Sequence, residues 1–230
     1  MRMFGLTPDA VLARIKSSAQ EPQVPTLKFS LLYGTASFTF ISALLFTLIA
    51  VGMRWMYRTV GEFGFYAIIM TLFIALGICL TPLVIGPGRL SRFSSLFAVS
   101  FLLYTIGWVG SYMIVFKVFR EQAAAFGRPM HVAEFIACLV GPALFGIALA
   151  LGFGHTQASL KLSLALILTH GLGYLTGALI HYGYVLKGLF PPDIHLGLTQ
   201  ALWGIPYGLG FGLGLSYAIY VAQAPIREKL

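Results

Sequence analysis

The chain has 230 residues, 58% of them hydrophobic and only 10% charged, with a formal net charge of +8 and mean hydropathy of +0.87. A soluble domain carries about 25% charged residues, so this chain lacks the side chains to coat a globular surface. The composition excludes a soluble class and points to an all-α, polytopic membrane protein. The basic residues fall in short connections between apolar blocks, which suits anionic lipid headgroups and leaves no basic stripe for nucleic acid.

In chain order, residues 1–26 form a cytoplasmic or interfacial segment without the apolar core of a signal peptide. Within it, "TPDAVLARIKSSA" predicts a short helix, with Thr7 as cap, Pro8 in the first position and Asp9 near the positive end. Val11, Leu12 and Ile15 share one side, so the helix is expected to rest on the membrane interface.

Six apolar blocks follow, at about 27–53, 64–85, 94–116, 136–154, 162–184 and 197–221, each near the ~20 residues a helix needs to cross a bilayer. They are continuously apolar, whereas barrel strands alternate, so a bundle of about six transmembrane helices is expected over 27–221. Residues 222–230 are a C-terminal tail. The longest connection, 117–135, follows the third block. Cys79 and Cys138 lie inside apolar blocks, as small hydrophobes and not as a disulfide framework.

Six crossings put both termini on one side. That side holds Arg2, Arg14, Lys16, Lys28, Arg89, Arg92, Lys161, Arg227 and Lys229, against Arg54, Arg58, Lys117, Arg120, Arg128 and Lys187 on the other. The excess predicts a cell (inner) membrane protein with N- and C-termini in the cytoplasm.

The fifth block contains "LTHGLGYLTGALIHYGY", residues 168–184. On a helix His170 and His181 fall within about 20° of each other, ~16 Å apart along the axis. Ser163, Gly173, Tyr174, Gly177 and Tyr184 share their side, and Leu168, Leu172, Leu175, Leu179 and Leu186 lie opposite. The glycine-and-imidazole side is therefore expected to face protein and the leucine side lipid. Gly173 and Gly177 form a GxxxG step that admits a neighbouring backbone. Gly204 and Gly208 form another in the sixth block, beside Gln200 and Tyr207. These four glycines predict tight packing of the fifth and sixth helices, a narrow slot between them, or contact with other membrane subunits.

His170 falls near mid-span, where a polar group must find a partner. The plain reading is a hydrogen bond to Tyr207, Gln200 or a carbonyl on a neighbouring helix. The sharper one is a cofactor-binding group of His170, Tyr174, Tyr207 and Gln200, with His170 as axial ligand to haem or a chlorin. His131, His181 and His195 are expected near one boundary, with Glu134 and Asp193 close by. They read either as interface histidines or as ligands for a divalent metal such as zinc, copper or iron.

No span core holds a carboxylate, lysine or arginine, which argues against a proton-coupled pump. There is no GxSxG, no paired carboxylates and no phosphate-binding loop after a strand. Trp55, Tyr57, Trp203, Tyr182 and Tyr184 read as interface anchors. Trp108 and Tyr112 read as deeper packing residues. Two functional classes remain. One is a noncatalytic subunit or small-ligand-binding module. The other is a transporter of a neutral or apolar solute, or a membrane metalloprotein using the outer-side histidines.

Overall fold

The computed structural model describes residues 4–18, 21–126, 128–182, 188–189 and 191–230, with the side chains of 53, 54, 57, 62, 63, 66, 76 and 192–196 excepted. Expectations resting on Tyr57, Tyr184, Leu186, Asp193 and His195 lie outside the described residues or side chains. Among the described residues the chain is all-helical, without strands.

The helices are α1 (Pro8–Lys16), α2 (Leu27–Leu76), α3 (Arg89–Met113), α4 (Arg120–Ala124), α5 (Pro129–Phe153), α6 (Ser159–His181), α7 (Pro192–Ala222) and α8 (Ala224–Arg227). Five apolar stretches are long enough to cross a membrane: Leu27–Gly52, Arg89–Val118, Pro129–Gly152, Thr156–His181 and Gly197–Ala222. The second sequence block gives a shorter apolar helix, Ala67–Leu83, whose end tightens into a 3-10 turn around Pro82.

Two boundaries differ from the sequence reading, each for a local reason. The helix of the first block runs on past residue 53, and its connection to the second block is a break at Gly61 and not a longer loop. No proline interrupts 27–76, and the backbone leaves helical geometry only at Gly61, where φ is 72° and no side chain is asked to adopt it. Beyond that point the chain runs back on itself. Phe73 meets Phe38 with ring centroids 6.2 Å apart, and the Tyr33 hydroxyl donates to the Cys79 carbonyl at 3.0 Å. The fourth block begins earlier than its hydropathy suggests, because Pro129 occupies the first turn and His131 and Glu134 are helical though polar.

α7 lies between α2 and α6, and its glycines serve both. Gly204, Gly208 and Gly212 form a rail against α2, where an added Cβ would run into Ser42, Thr39 and Phe38. Gly210 meets Gly173 of α6 backbone to backbone, Gly214 abuts Leu166 and Thr169, and Gly177 is covered by the Trp203 indole. The expected match of all four GxxxG glycines between the fifth and sixth helices is thus corrected. Gly204 and Gly208 turn to α2, and none of Gly173, Gly177, Gly204 and Gly208 is left for another subunit. Side chains near 100° per residue cannot place 204, 208 and 210 on one face.

The bundle continues through α5 and α3. Gly146 packs on the Ser163 backbone, and the Ser163 hydroxyl donates to the Ala143 carbonyl at 2.9 Å. Gly107, Gly141 and Gly152 let α3 and α5 close on each other. Phe38, Phe97, Phe101, Phe145 and Phe211 fill the centre and are buried. The leucines opposite His170 face outward: Leu168 is 63% exposed and Leu172 68%, against 0% for His170.

α1 and the C-terminal segment meet at one end. Val11 of α1, Ile85 and Ile226 of α8 form a small buried cluster flanked by Leu12 and Ile15. The apolar side of α1 is therefore covered by protein. Lys229 pairs with Asp9 at 3.4 Å. Gln223 clamps the same end, accepting from the Ile85 amide at 2.7 Å and donating to the Leu83 carbonyl at 2.9 Å.

The crossing at Gly173 and Gly210 generates a prediction. Gly210→Val forces the α6 backbone away and is expected to cost about 1–3 kcal/mol through overpacking. Gly171→Ala, where nothing lies within 4 Å of the new methyl, leaves stability unchanged or slightly higher. Thermal melting of the two variants in one detergent checks the contrast.

Candidate functional site

The bundle carries two linked features, a sealed polar cluster and an open groove. The cluster is built by inward positions of α3, α6 and α7. Tyr104 of α3 places its hydroxyl 2.9 Å from His170 Nε2 and 3.3 Å from the Tyr207 hydroxyl. The imidazole is packed by rings, with centroids at 5.2 Å for Phe211, 5.3 Å for Tyr207, 5.6 Å for Tyr104 and 6.0 Å for Tyr174.

The chain of hydroxyls can run either way. Tyr207 can donate to Tyr104 and Tyr104 to His170, or the sequence can be reversed. Either way His170 Nδ1 is buried and has no hydrogen-bond partner in the protein. A buried imidazole with one nitrogen paired is a costly object, which gives Tyr104 a structural role beyond its area.

The structure brings His170, Tyr174 and Tyr207 together as neighbours. Gln200 is half-buried on α7 and is not among the groups bonded to His170. The partner found for His170, Tyr104, was missed in the sequence. The signal was there in the row Phe97, Phe101, Tyr104 and Trp108, a run of aromatics at helical spacing with one polar tip at mid-span. A haem or chlorin macrocycle could reach the imidazole only by displacing the rings that enclose it, and Nε2 is already engaged by Tyr104.

Tyr174 separates this cluster from a groove of about 410 Å³ between α5 and α6. Its lining includes Phe135, Leu175, Ala178 and Leu179 as an apolar wall and His131, Glu134 and Tyr182 as a polar end. Phe135, Leu175 and Leu179 are exposed, so the groove opens sideways to the surrounding bilayer. At the polar end the Tyr182 hydroxyl donates to Glu134 Oε1 at 2.8 Å, and His131 Nδ1 lies 3.6 Å from Oε2. The His131 ring stands edge-on to Tyr182 with centroids 4.8 Å apart. An i, i+3 step on α5 places His131 and Glu134 side by side.

Of the three histidines read as metal ligands, the structure describes the surroundings of His131 and His181. His131 sits at the groove, whereas His181 packs on the Trp203 indole at 5.0 Å and faces the Thr199 hydroxyl at 3.4 Å. The His195 side chain lies outside the described residues. Among the described residues no three His, Cys, Asp or Glu side chains group as a metal set.

Removing the Tyr104 hydroxyl tests the cluster. Tyr104→Phe leaves both imidazole nitrogens without a partner and is expected to destabilise by about 1–3 kcal/mol. Combining it with His170→Leu is expected to cost less than the two changes summed, because the second removes the group the first orphaned. A double-mutant cycle by thermal melting reads this coupling. Comparison with protein-family models, with curated proteins and with solved structures finds no match for this chain.

Proposed function

We propose that this polytopic helical membrane protein is a noncatalytic small-ligand-binding module, and that the groove between α5 and α6 seats an amphipathic molecule drawn from the bilayer. The observation that carries the reading is the pairing, in one groove, of an outward apolar wall with a single carboxylate held at its end. Such sites bind by apolar burial and orient by a few placed polar groups.

The head of the ligand donates hydrogen bonds. A carboxylate has about four lone-pair positions, of which Tyr182 takes one, and His131 stands near another. Acceptor capacity is left for an amine or hydroxyl, and the body lies along Leu175 and Leu179. A solute slot between α6 and α7 has less support, because the Gly173–Gly210 approach closes the space there. The Lys and Arg excess supports placing the end with both termini in the cytoplasm and the polar end of the groove on the opposite side of a cell membrane.

The test is photolabelling of the purified chain in lipid nanodiscs with a diazirine-bearing long-chain alkylamine. Label is expected on 175–182. Glu134→Gln should lower labelling about tenfold, the loss of one hydrogen bond to a charged group. Leu179→Trp should block it by filling the wall. A matched probe without the amine should label weakly. Equal labelling of wild type and both variants would remove the proposal.

A further inference from the structure

At the other end of the bundle, two arginines stand together without a counter-ion among the described residues. Gly5, with φ of 62°, turns the N-terminal segment so that both guanidinium groups converge on it. A Cβ built there would collide with Arg92 and touch Arg14. Arg14 Nη2 donates to the Gly5 carbonyl at 2.6 Å, while its Nε is buried and finds no acceptor. Burial, and then the charge of Arg92, pull the Arg14 guanidinium below its ordinary range.

No carboxylate neutralises the pair among the described residues. The ion pairs there are His131–Glu134 and Lys229–Asp9, so the acid on α1 is turned to the C-terminus. Glu21 lines an open cleft with Arg89, and Arg89 itself donates to the Val84 carbonyl and to Gln23. The start of α3 adds to the imbalance. Its cap, Gly88, offers no side chain, and its first turn has no acidic residue. Arg89 and Arg92 therefore add positive charge to the end of a helix that is already positive.

We propose that Arg14 and Arg92 bind a phosphate group, supplied by the headgroup of an anionic phospholipid. Guanidinium groups offer the paired donors that phosphate oxygens accept, and an anion beside them offsets both the mutual repulsion and the exposed helix end. The depth favours a lipid. Arg92 lies one turn inside the span that begins at Arg89, where a basic side chain reaches the headgroup layer. The shared chemistry is phosphate, so the free ion is the alternative source.

The experiment uses the full chain, purified in neutral detergent and titrated with phosphatidylglycerol, with phosphatidylcholine and with inorganic phosphate, reading melting temperature and lipid retained in native mass spectrometry. Phosphatidylglycerol is expected to raise the melting temperature and be retained, with phosphatidylcholine inert. Arg14→Gln and Arg92→Gln should each weaken the phosphatidylglycerol response about tenfold, whereas Lys16→Gln, an exposed charge on the same helix, should not. If a glutamine variant does not fold, Arg92→Lys keeps the charge and loses the fork, and a weakened response from it supports the same site. Stabilisation by inorganic phosphate alone, lost in the same variants, supports the phosphate site with the free ion as its ligand. No response of the wild type to either phosphate source, or an equal response in all variants, overturns the proposal.

Discussion

The constraint on which the bundle depends is the closeness of backbones around α7. Lipid tails are as apolar as leucine, so apolar side chains gain little by leaving them for one another. Helices in a bilayer hold together by packing and by the few polar contacts they can make. Glycine on two faces of α7 permits that packing twice, against Thr35, Thr39 and Ser42 of α2 and against Thr169 and Gly173 of α6. Once those approaches are fixed, the bulk excluded from the seams collects in the centre, where Phe38, Phe101, Phe145 and Phe211 interlock edge to face. Edge-to-face aromatic contacts suit such a core because the ring edge is positive and the face negative.

Within that aromatic core, two groups of polar side chains contact one another. His170, Tyr104 and Tyr207 form one chain of hydrogen bonds, and at the mouth of the groove Tyr182 bonds to Glu134, beside which His131 stands at 3.6 Å. Tyr174 stands between the two, with its ring near both His170 and Trp203. In a low-dielectric interior every such group is stabilising only when paired, so the clusters also specify how α3, α5, α6 and α7 are rotated about their axes. The packing and the candidate site are in this sense one arrangement. The glycines decide how near the helices come, and the hydroxyls and imidazole decide which faces meet.

The opposite end is organised differently, by the chain termini. α1 and α8 close over Ile85, and Gln223 bonds to the backbone around Leu83 and Ile85 across a long stretch of sequence. His155 adds a bond from its Nδ1 to the Val221 carbonyl at 3.2 Å. Polar groups at this end are thus mostly engaged with backbone, and the Arg14–Arg92 pair differs from them in having two charges and no acid among the described residues.

The sequence alone determined the class, the helical state and the sidedness of α6. Continuous apolar blocks and scarce charge require a bilayer. A leucine face opposite glycine, serine and histidine assigns lipid and protein sides without reference to any neighbour, because the 3.6-residue period is local. It also marked His170, Tyr174, Tyr207, His131 and Glu134. What it could not supply were partners. Tyr104 lies far from His170 in the chain and looks like one more core aromatic until α3 is set beside α6. Gly204 and Gly208 carry the same motif as Gly173 and Gly177, and only the position of α2 shows that they face a different helix. The continuous helix across 54–60 was hidden because charges read as a connection, while the backbone breaks only where Gly61 takes a positive φ. Periodicity fixes which way a side chain points from its own helix axis, and only tertiary packing decides what stands there to meet it.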